Sequence, residues 1–305
     1  MRSGINLDAL LVLDSIARKA SFAAAAEELH RVPSSVTYAI QKLEDSLGVK
    51  LFDRRGHRAQ LTPAGAALLR EGRELLSMAD SVERNVKRVA TGWEAELRIA
   101  VGDLIPGQRV LDLCAAFYEV APGTRLRLSA EVLGGNWDAL ASGRVDFVIG
   151  APGDAPGGVG YAQHPLGEVE FVFVVSPRHP LASEEEPLSN DLIRHHRAVA
   201  AADSSRGLAP RTVGLLPGQN VLTVPDMELK RLAQIRGLGV GYMPMHLIAD
   251  DISAGRLIVK ATEDSLSSRH TLYYAWRSNQ QGKALAWFRQ KLCNRERPYH
   301  WFEHW

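Results

Sequence analysis

The sequence predicts a mixed α/β fold in three parts, and three observations carry that prediction. Residues 21–47, SFAAAAEELHRVPSSVTYAIQKLEDSL, read as two short helices around a tight turn, the second apolar on one face only. Residues 62–92 hold apolar residues at heptad spacing, the mark of one long helix. From Glu96 onward, strand-like runs alternate with helix-periodic ones, opening as βαβαβ. That order predicts a parallel sheet with right-handed crossovers.

The first part opens with an amphipathic helix over residues 7–18, marked by Leu7, Leu10, Leu11, Leu13, Asp14 and Ile16. Ser21 is a good N-cap for a second helix over residues 22–30. Its predicted buried stripe is Phe22, Ala25, Ala26 and Leu29, whose small side chains let helix backbones approach closely. Arg31 and Val32 make the turn, and Pro33 suits the first position of a third helix. There Val36, Ile40, Leu43 and Leu47 recur at spacings of four, three and four and are predicted to face inward. Ser34, Ser35, Thr37, Tyr38, Gln41 and Lys42 are left outside. Short hydroxyls and an amide near a helix N-terminus can contact base edges or phosphates. Gly48 ends the helix. LFDRRGHRAQLT then reads as a hairpin, with residues 51–52 paired to 60–62 and Gly56 at the tip. Arg54, Arg55, His57 and Arg58 crowd that tip, and such a like-charged cluster calls for an anionic partner such as phosphate. The candidate DNA-contacting residues are therefore Ser34, Ser35, Thr37, Tyr38, Gln41, Lys42, Arg54, Arg55, His57 and Arg58, to which Ser21 and Pro33 at the helix starts are added.

The run FAAAAEELHRVPSSVTYAIQKLEDSLGVKLFDRRGHRAQLTPAG resembles the winged helix-turn-helix of the LysR-type transcriptional regulators. The spacing, the LF-x-R that opens the wing and the LTPAG that closes it match without insertion. A looser resemblance spans the whole chain and points to the YhaJ-type branch, linked to aromatic-compound responses. It implies that Pro33, Ser34, Thr37 and Tyr38 sit where the family reads bases. Two residues depart from the family pattern. Val32 replaces the usual Ser N-cap, and Tyr38 replaces a charged or amide side chain, so the operator sequence does not transfer from relatives.

Thr62 and Pro63 start the long helix. Leu68, Leu75, Val82 and Val89 repeat every seven residues, with Gly72, Ala79 and Val86 between them. A helix of about 28 residues is about 42 Å long at 1.5 Å per residue. One thin apolar stripe calls for a partner chain, and the resemblance implies a homodimer through this helix, as part of a tetramer. A dimer would set two reading helices about 34 Å apart on DNA.

In the third part, predicted strands cover residues 97–102, 126–132, 145–151, 169–176, 197–203, 220–226, 239–244, 256–261 and 270–278. Predicted helices cover 106–118, 137–141, 227–236, 245–253 and 283–293, with Val110, Leu113, Cys114 and Phe117 inward on the first. The resemblance implies a two-lobed, periplasmic-binding-protein-like effector domain. The expected organisation is a DNA-binding domain at 1–62, a linker helix at 63–92 and an effector domain at 93–305. Lobe I would take 93–167 and 267–305, and lobe II 168–266. Ligands of open α/β sheets sit beyond the carboxyl ends of strands. That rule selects Asp103, Leu104, Leu133, Gly134, Ala151, Pro152, Asp203, Ser204, Met243 and Pro244 for a small-molecule effector. Leu133 and nearby Trp137 suggest an apolar or aromatic one.

Length and charge are consistent with this. A chain of 305 residues can hold at least two cores. Residues 1–92 carry 14 Lys+Arg against 11 Asp+Glu, while residues 93–305 carry 22 against 24, so the small cationic excess lies at the front. The apolar run at residues 9–13 is short and bounded by Asp8 and Asp14, unlike a signal peptide, and no stretch suits a bilayer. A cytoplasmic location is expected, with double-stranded DNA, an effector, further copies of the chain and RNA polymerase as partners, and no membrane. Cys114 and Cys293 suggest neither a disulfide nor a metal site. The glycines at 237–241 lie where a helix runs into a strand, the reverse of a dinucleotide loop. His195 and His196 diverge, and Ser204 lacks a nucleophile frame. No catalytic residue, cofactor or metal is expected. The rival reading is a small-molecule-binding protein or enzyme whose N-terminal domain only mediates association.

Overall fold

The computed structural model describes residues 5–53, 59–153, 155–157, 160–263, 269–293 and 301–302, apart from the side chains of 81, 84, 85 and 87–91 in one helix. The chain divides into two compact units, Met1–Val86 and Lys87–Trp305.

In the first unit, α1 (Leu7–Lys19), α2 (Phe22–Glu28) and α3 (Pro33–Leu47) precede a hairpin of β1 (Phe52–Asp53) and β2 (Gln60–Leu61) and the helix α4 (Pro63–Thr91). The caps are those the sequence calls for. Ser21 Oγ accepts the Ala24 N–H at 3.3 Å, and Thr62 Oγ1 accepts the Gly65 N–H at 3.0 Å. Val32 caps α3 without a side-chain bond, and Gly48 closes it at φ 68°. Val12, Leu13, Ile16, Ala25, Ala26, Val36, Ile40, Leu43, Leu51 and Phe52 form one core.

Four local expectations are corrected here. The second helix stops at Glu28, because His30 turns left-handed at φ 53°. The hairpin register is Phe52 to Leu61 and Asp53 to Gln60, one residue in from the predicted start. Leu47 is 37% exposed rather than buried. Glu44 is buried instead, and its carboxylate holds the start of the wing by accepting the Leu51 and Phe52 N–H groups at 2.8 and 3.4 Å. On α4, Leu68 packs on the domain core and Gly72 lies under Leu10, so the lower seam serves the chain's own domain. Leu75, Met78, Val82 and Val86 above it are exposed.

The second unit is a mixed sheet, not the purely parallel one expected. β3 (Glu96–Gly102) pairs in parallel with β4 (Arg125–Glu131) and β5 (Phe147–Pro152). The helices α5 (Gly107–Val120) and α6 (Gly135–Ala141) connect them. Val110, Leu113, Cys114 and Phe117 of α5 are buried, as their spacing predicts. β6 (Tyr161–Val175) follows and is twice the predicted length. After it come a 3-10 turn (Pro180–Ala182) and α7 (Asn190–Arg194), neither of them anticipated, then β7 (Ala198–Ala201) and β8 (Val221–Val224). The chain continues through α8 (Met227–Ile235), β9 (Gly241–Pro244), α9 (Met245–Ser253), β10 (Ile258–Val259), β11 (Arg269–Arg277) and α10 (Lys283–Cys293). The strand order is β10-β6-β11-β5-β3-β4, with β9 also on β6. β11 runs antiparallel to both β5 and β6, while β7 and β8 form a separate parallel pair. The first part of β6 lies on β11, and residues 171–175 lie on β9 and β10. Where β6 passes Leu166 the register slips by one. The bulge accommodates Pro165 and Gly167, which lie ahead of the predicted strand at 169–176. Trp301 of the aromatic tail sits in the main core, and the Phe302 ring packs 5.0 Å from His246.

Candidate functional site

α3 presents one candidate surface. Burial of Val36, Ile40 and Leu43 fixes its rotation, so Ser34, Ser35, Tyr38, Gln41 and Lys42 are exposed along one arc beside Pro33. Tyr38 is 67% exposed, an aromatic ring that nothing in its domain covers. Thr37 is half-buried, and its hydroxyl donates to the Pro33 carbonyl at 3.0 Å, leaving the oxygen free only to accept. Ser21 acts as a cap one helix away. The α1 and α2 scaffold behind this face is tied by charge. Glu28 accepts the Ser15 hydroxyl at 2.5 Å and the two terminal Arg18 nitrogens at 2.8 and 2.9 Å. Arg31 grips Asp8, and Arg73 of α4 reaches Asp14 at 2.7 Å. Arg54, Arg55, His57 and Arg58 lie outside the described residues, though the strands that would carry them are present.

The second unit holds a cavity of about 530 Å³. Of the residues the strand-end rule selects, Asp103, Leu104, Leu133 and Pro152 line it. Its apolar walls also include Phe171, Val213, Met227, Tyr242 and Tyr273, and its polar groups include Asn136, Arg211, Lys230, Arg269 and His270. The rule misses by one residue in two places, because side chains alternate across a strand. Ala151 points into the core while Pro152 lines the space, and Met243 is fully buried while Tyr242 lines it. Pro244 is spent as the α9 cap. Trp137 is core as well, its Nε1–H held by the Pro152 carbonyl at 3.1 Å, so it offers no surface to a ligand there.

Gly134, Asp203 and Ser204 do not line the cavity either; they latch its wall. Ser204 Oγ accepts the Val132 N–H at 2.9 Å and donates to Glu131 at 2.5 Å. Asp203 accepts the N–H groups of Gly134 at 3.1 Å, Ser205 at 2.8 Å and Arg211 at 2.7 Å. Burial pushes the Asp203 carboxyl up, but the Ser205 hydroxyl and these N–H groups outweigh it and leave the pKa lowered. Between the latched residues, Leu133 adopts φ 50°, a left-handed conformation that a branched aliphatic residue keeps only when its surroundings impose it. Gly135 is needed because a Cβ there would collide with Ser204 Oγ. The latch joins residues some seventy apart in sequence, so local pattern gave no sign of it.

Asp103 and Lys230 are the charged groups set deepest in the cavity. The Met227 N–H, in the first turn of α8, donates to Asp103 Oδ2 at 3.3 Å. Burial nevertheless raises the Asp103 carboxyl to about 6, and the negative charge of Asp226 adds to the rise. Burial lowers the Lys230 ammonium to about 8, against the pull of Asp103. Among the described residues no cluster of His, Cys, Asp or Glu could hold a metal ion, and no helix is long and apolar enough to cross a membrane.

Residues 7–66 match the family model of the bacterial regulatory helix-turn-helix protein, lysR family, and residues 90–295 match the LysR substrate binding domain. The chain belongs to the LysR family of transcriptional regulators. It is similar to the uncharacterized HTH-type transcriptional regulator YeeY of Escherichia coli, 38% identical over 94% of this chain and 92% of YeeY. It is also similar to the probable HTH-type transcriptional regulator YhaJ of Escherichia coli, 40% identical over 96% of each chain. The LysR family regulator CbnR shares the fold, with a TM-score of 0.59 and 19% identity over 94% of this chain and 98% of CbnR. A structure of full-length CbnR with its target DNA matches equally, at a TM-score of 0.59. This LysR-type protein is thus a DNA-binding transcriptional regulator, not an enzyme, and carries a substrate-binding effector domain.

Proposed function

We propose that this regulator reads its operator with the exposed arc of α3, namely Pro33, Ser34, Ser35, Thr37, Tyr38, Gln41 and Lys42. The wing cations Arg54, Arg55, His57 and Arg58 grip phosphate, and Ser21 holds the helix behind them. The observation that carries this reading is the polar, uncovered face of α3 opposite its buried Val36, Ile40 and Leu43. CbnR, a protein of the same fold, has been crystallised with its target DNA. A gel shift with genomic fragments tests the reading. Thr37→Ala with Tyr38→Ala weakens specific binding and spares non-specific binding, at roughly 1–3 kcal/mol for each base-edge interaction it removes. Arg54→Ala with Arg55→Ala weakens both and flattens the salt dependence. Unchanged operator affinity in the first variant refutes the assigned face.

The regulator acts in the cytoplasm as a homodimer through α4, paired into a tetramer, and meets RNA polymerase on DNA. Its effector domain begins near residue 93. Lobe I takes 93–167 with 267–305, and lobe II takes 168–266. A small molecule of apolar or aromatic body enters the cavity bounded by Asp103, Leu104, Leu133 and Pro152. By favouring one arrangement of the lobes, it moves the regulator between its off and on states. Moving that equilibrium from mostly off to mostly on needs a preference of about 5.5 kcal/mol.

A further inference from the structure

The cavity wall contains a buried cation with no partner. Lys230 lies on α8 and is only 6% exposed, yet its ammonium makes no hydrogen bond or ion pair among the described residues. The other buried lysine among the described residues of this unit is satisfied. Lys260, 7% exposed, donates to the Glu184 carbonyl at 2.8 Å and pairs with Glu186 at 3.0 Å. Arg98 is held by Asp146 at 2.9 Å. Asp103 is the acid that acts on Lys230, but the two are not in contact, and Asp103 takes its hydrogen bond from Met227 instead. An ammonium held in a mostly apolar wall without a protein partner is disfavoured in its charged form. The lowered proton affinity of Lys230 reflects this. A fold that only needed packing would place an apolar residue here, as it does with Met227 one turn earlier.

Apart from Asp103, the charged residues that line the cavity share the sign of Lys230. Arg211 and Arg269 are exposed cationic residues of its lining, and the Arg269 guanidinium comes no closer than 4.0 Å to Glu168. The surrounding wall is apolar and aromatic.

We infer that Lys230 is the anion anchor of the cavity, and that the effector is a small organic acid whose carboxylate pairs with Lys230 while its apolar body lies against Leu133 and Phe171. The inference rests on the reading of this cavity as the effector site and adds the chemical class. Lys230 contributes the charge-assisted hydrogen bond, and Arg211 and Arg269 draw the anion toward the opening.

The test uses the full-length protein and two matched probe sets, with thermal unfolding as readout. One set is benzoate, phenylacetate and salicylate; the other is their primary amides. The anchor predicts that acids raise the Tm of the wild type in a dose-dependent way and that the amides do not. It also predicts that Lys230→Met abolishes the acid response while the ligand-free variant unfolds at the wild-type Tm or above it, because an unpaired buried charge has been removed. Lys230→Arg keeps part of the response. An acid response that survives in Lys230→Met overturns the anchor, and so does a ligand-free variant that unfolds well below the wild type. A response to the amides alone overturns the anchor but leaves the cavity as the effector site. Silence from both sets overturns the two readings together.

Discussion

Single side chains decide three things in this protein, and each can be tested. Glu44 joins the reading helix to the wing. Burial pushes its carboxyl up, but the Lys50 ammonium at 2.8 Å and the Leu51 and Phe52 N–H groups outweigh that and leave it below its ordinary 4.5. A lowered carboxylate contributes stability above its unfolded pKa and loses it as pH falls through the folded value. Glu44→Gln should therefore destabilise the N-terminal unit at neutral pH by about 1–3 kcal/mol and flatten its acid unfolding below pH 4.5. Chemical denaturation at several pH values measures both. Asp103 has the opposite sign. Its carboxyl is raised from 3.8 to about 6, so the native state favours its protonated form. Stability falls as pH rises through that window, and Asp103→Asn should remove the fall. Leu133 is held left-handed by the latch, so Gly135→Ala, which pushes on Ser204, should lower the Tm and loosen the cavity wall together.

At the scale of elements, the sequence was most readable where local chemistry decides the structure. Helices α9 and α10 and the start of α3 agree with prediction, because Pro33 at N1, Gly48 at the C-cap and a clear apolar period fix them. The double length of β6 was hidden by Pro165 and Gly167, whose breaker tendency is overridden by pairing with β11. Of the ten residues the strand-end rule selects, Asp103, Leu104, Leu133 and Pro152 line the cavity. The rule gives neither the face of each residue nor the long-range bonds that hold Asp203 and Ser204 in the latch. Lys230 escaped notice because a lysine in a short helix reads as solvent-facing, and only the packing of α8 buries it. The exposed residues Leu75, Met78, Val82 and Val86 follow at spacings of three, four and four along one side of α4. Such a stripe suits the seam of a helix pair, the homodimer proposed above. Val82→Glu should shift the full-length protein toward monomer in sedimentation velocity, with helix content retained. A variant that sediments as the wild type would place the contact elsewhere.

For the whole molecule, the two units divide the work of a regulator. A helical unit with a two-stranded wing carries an uncovered polar helix face, and a mixed α/β unit carries a cavity with an unmet cation. Bivalent binding multiplies two modest affinities, so an α4 variant that stays monomeric should lose operator affinity far more than a single half-site would explain. Gel shifts of Val82→Glu beside the wild type, on the same genomic fragment, read that loss. The most direct measurement of the central claim is tethered DNA cleavage. An iron chelate attached at Gln41→Cys, in a Cys293→Ser background, should cut the operator in two clusters about one helical turn apart, centred on major grooves. Even cutting along the fragment, or cutting that ignores its sequence, would contradict α3 as the element that reads DNA.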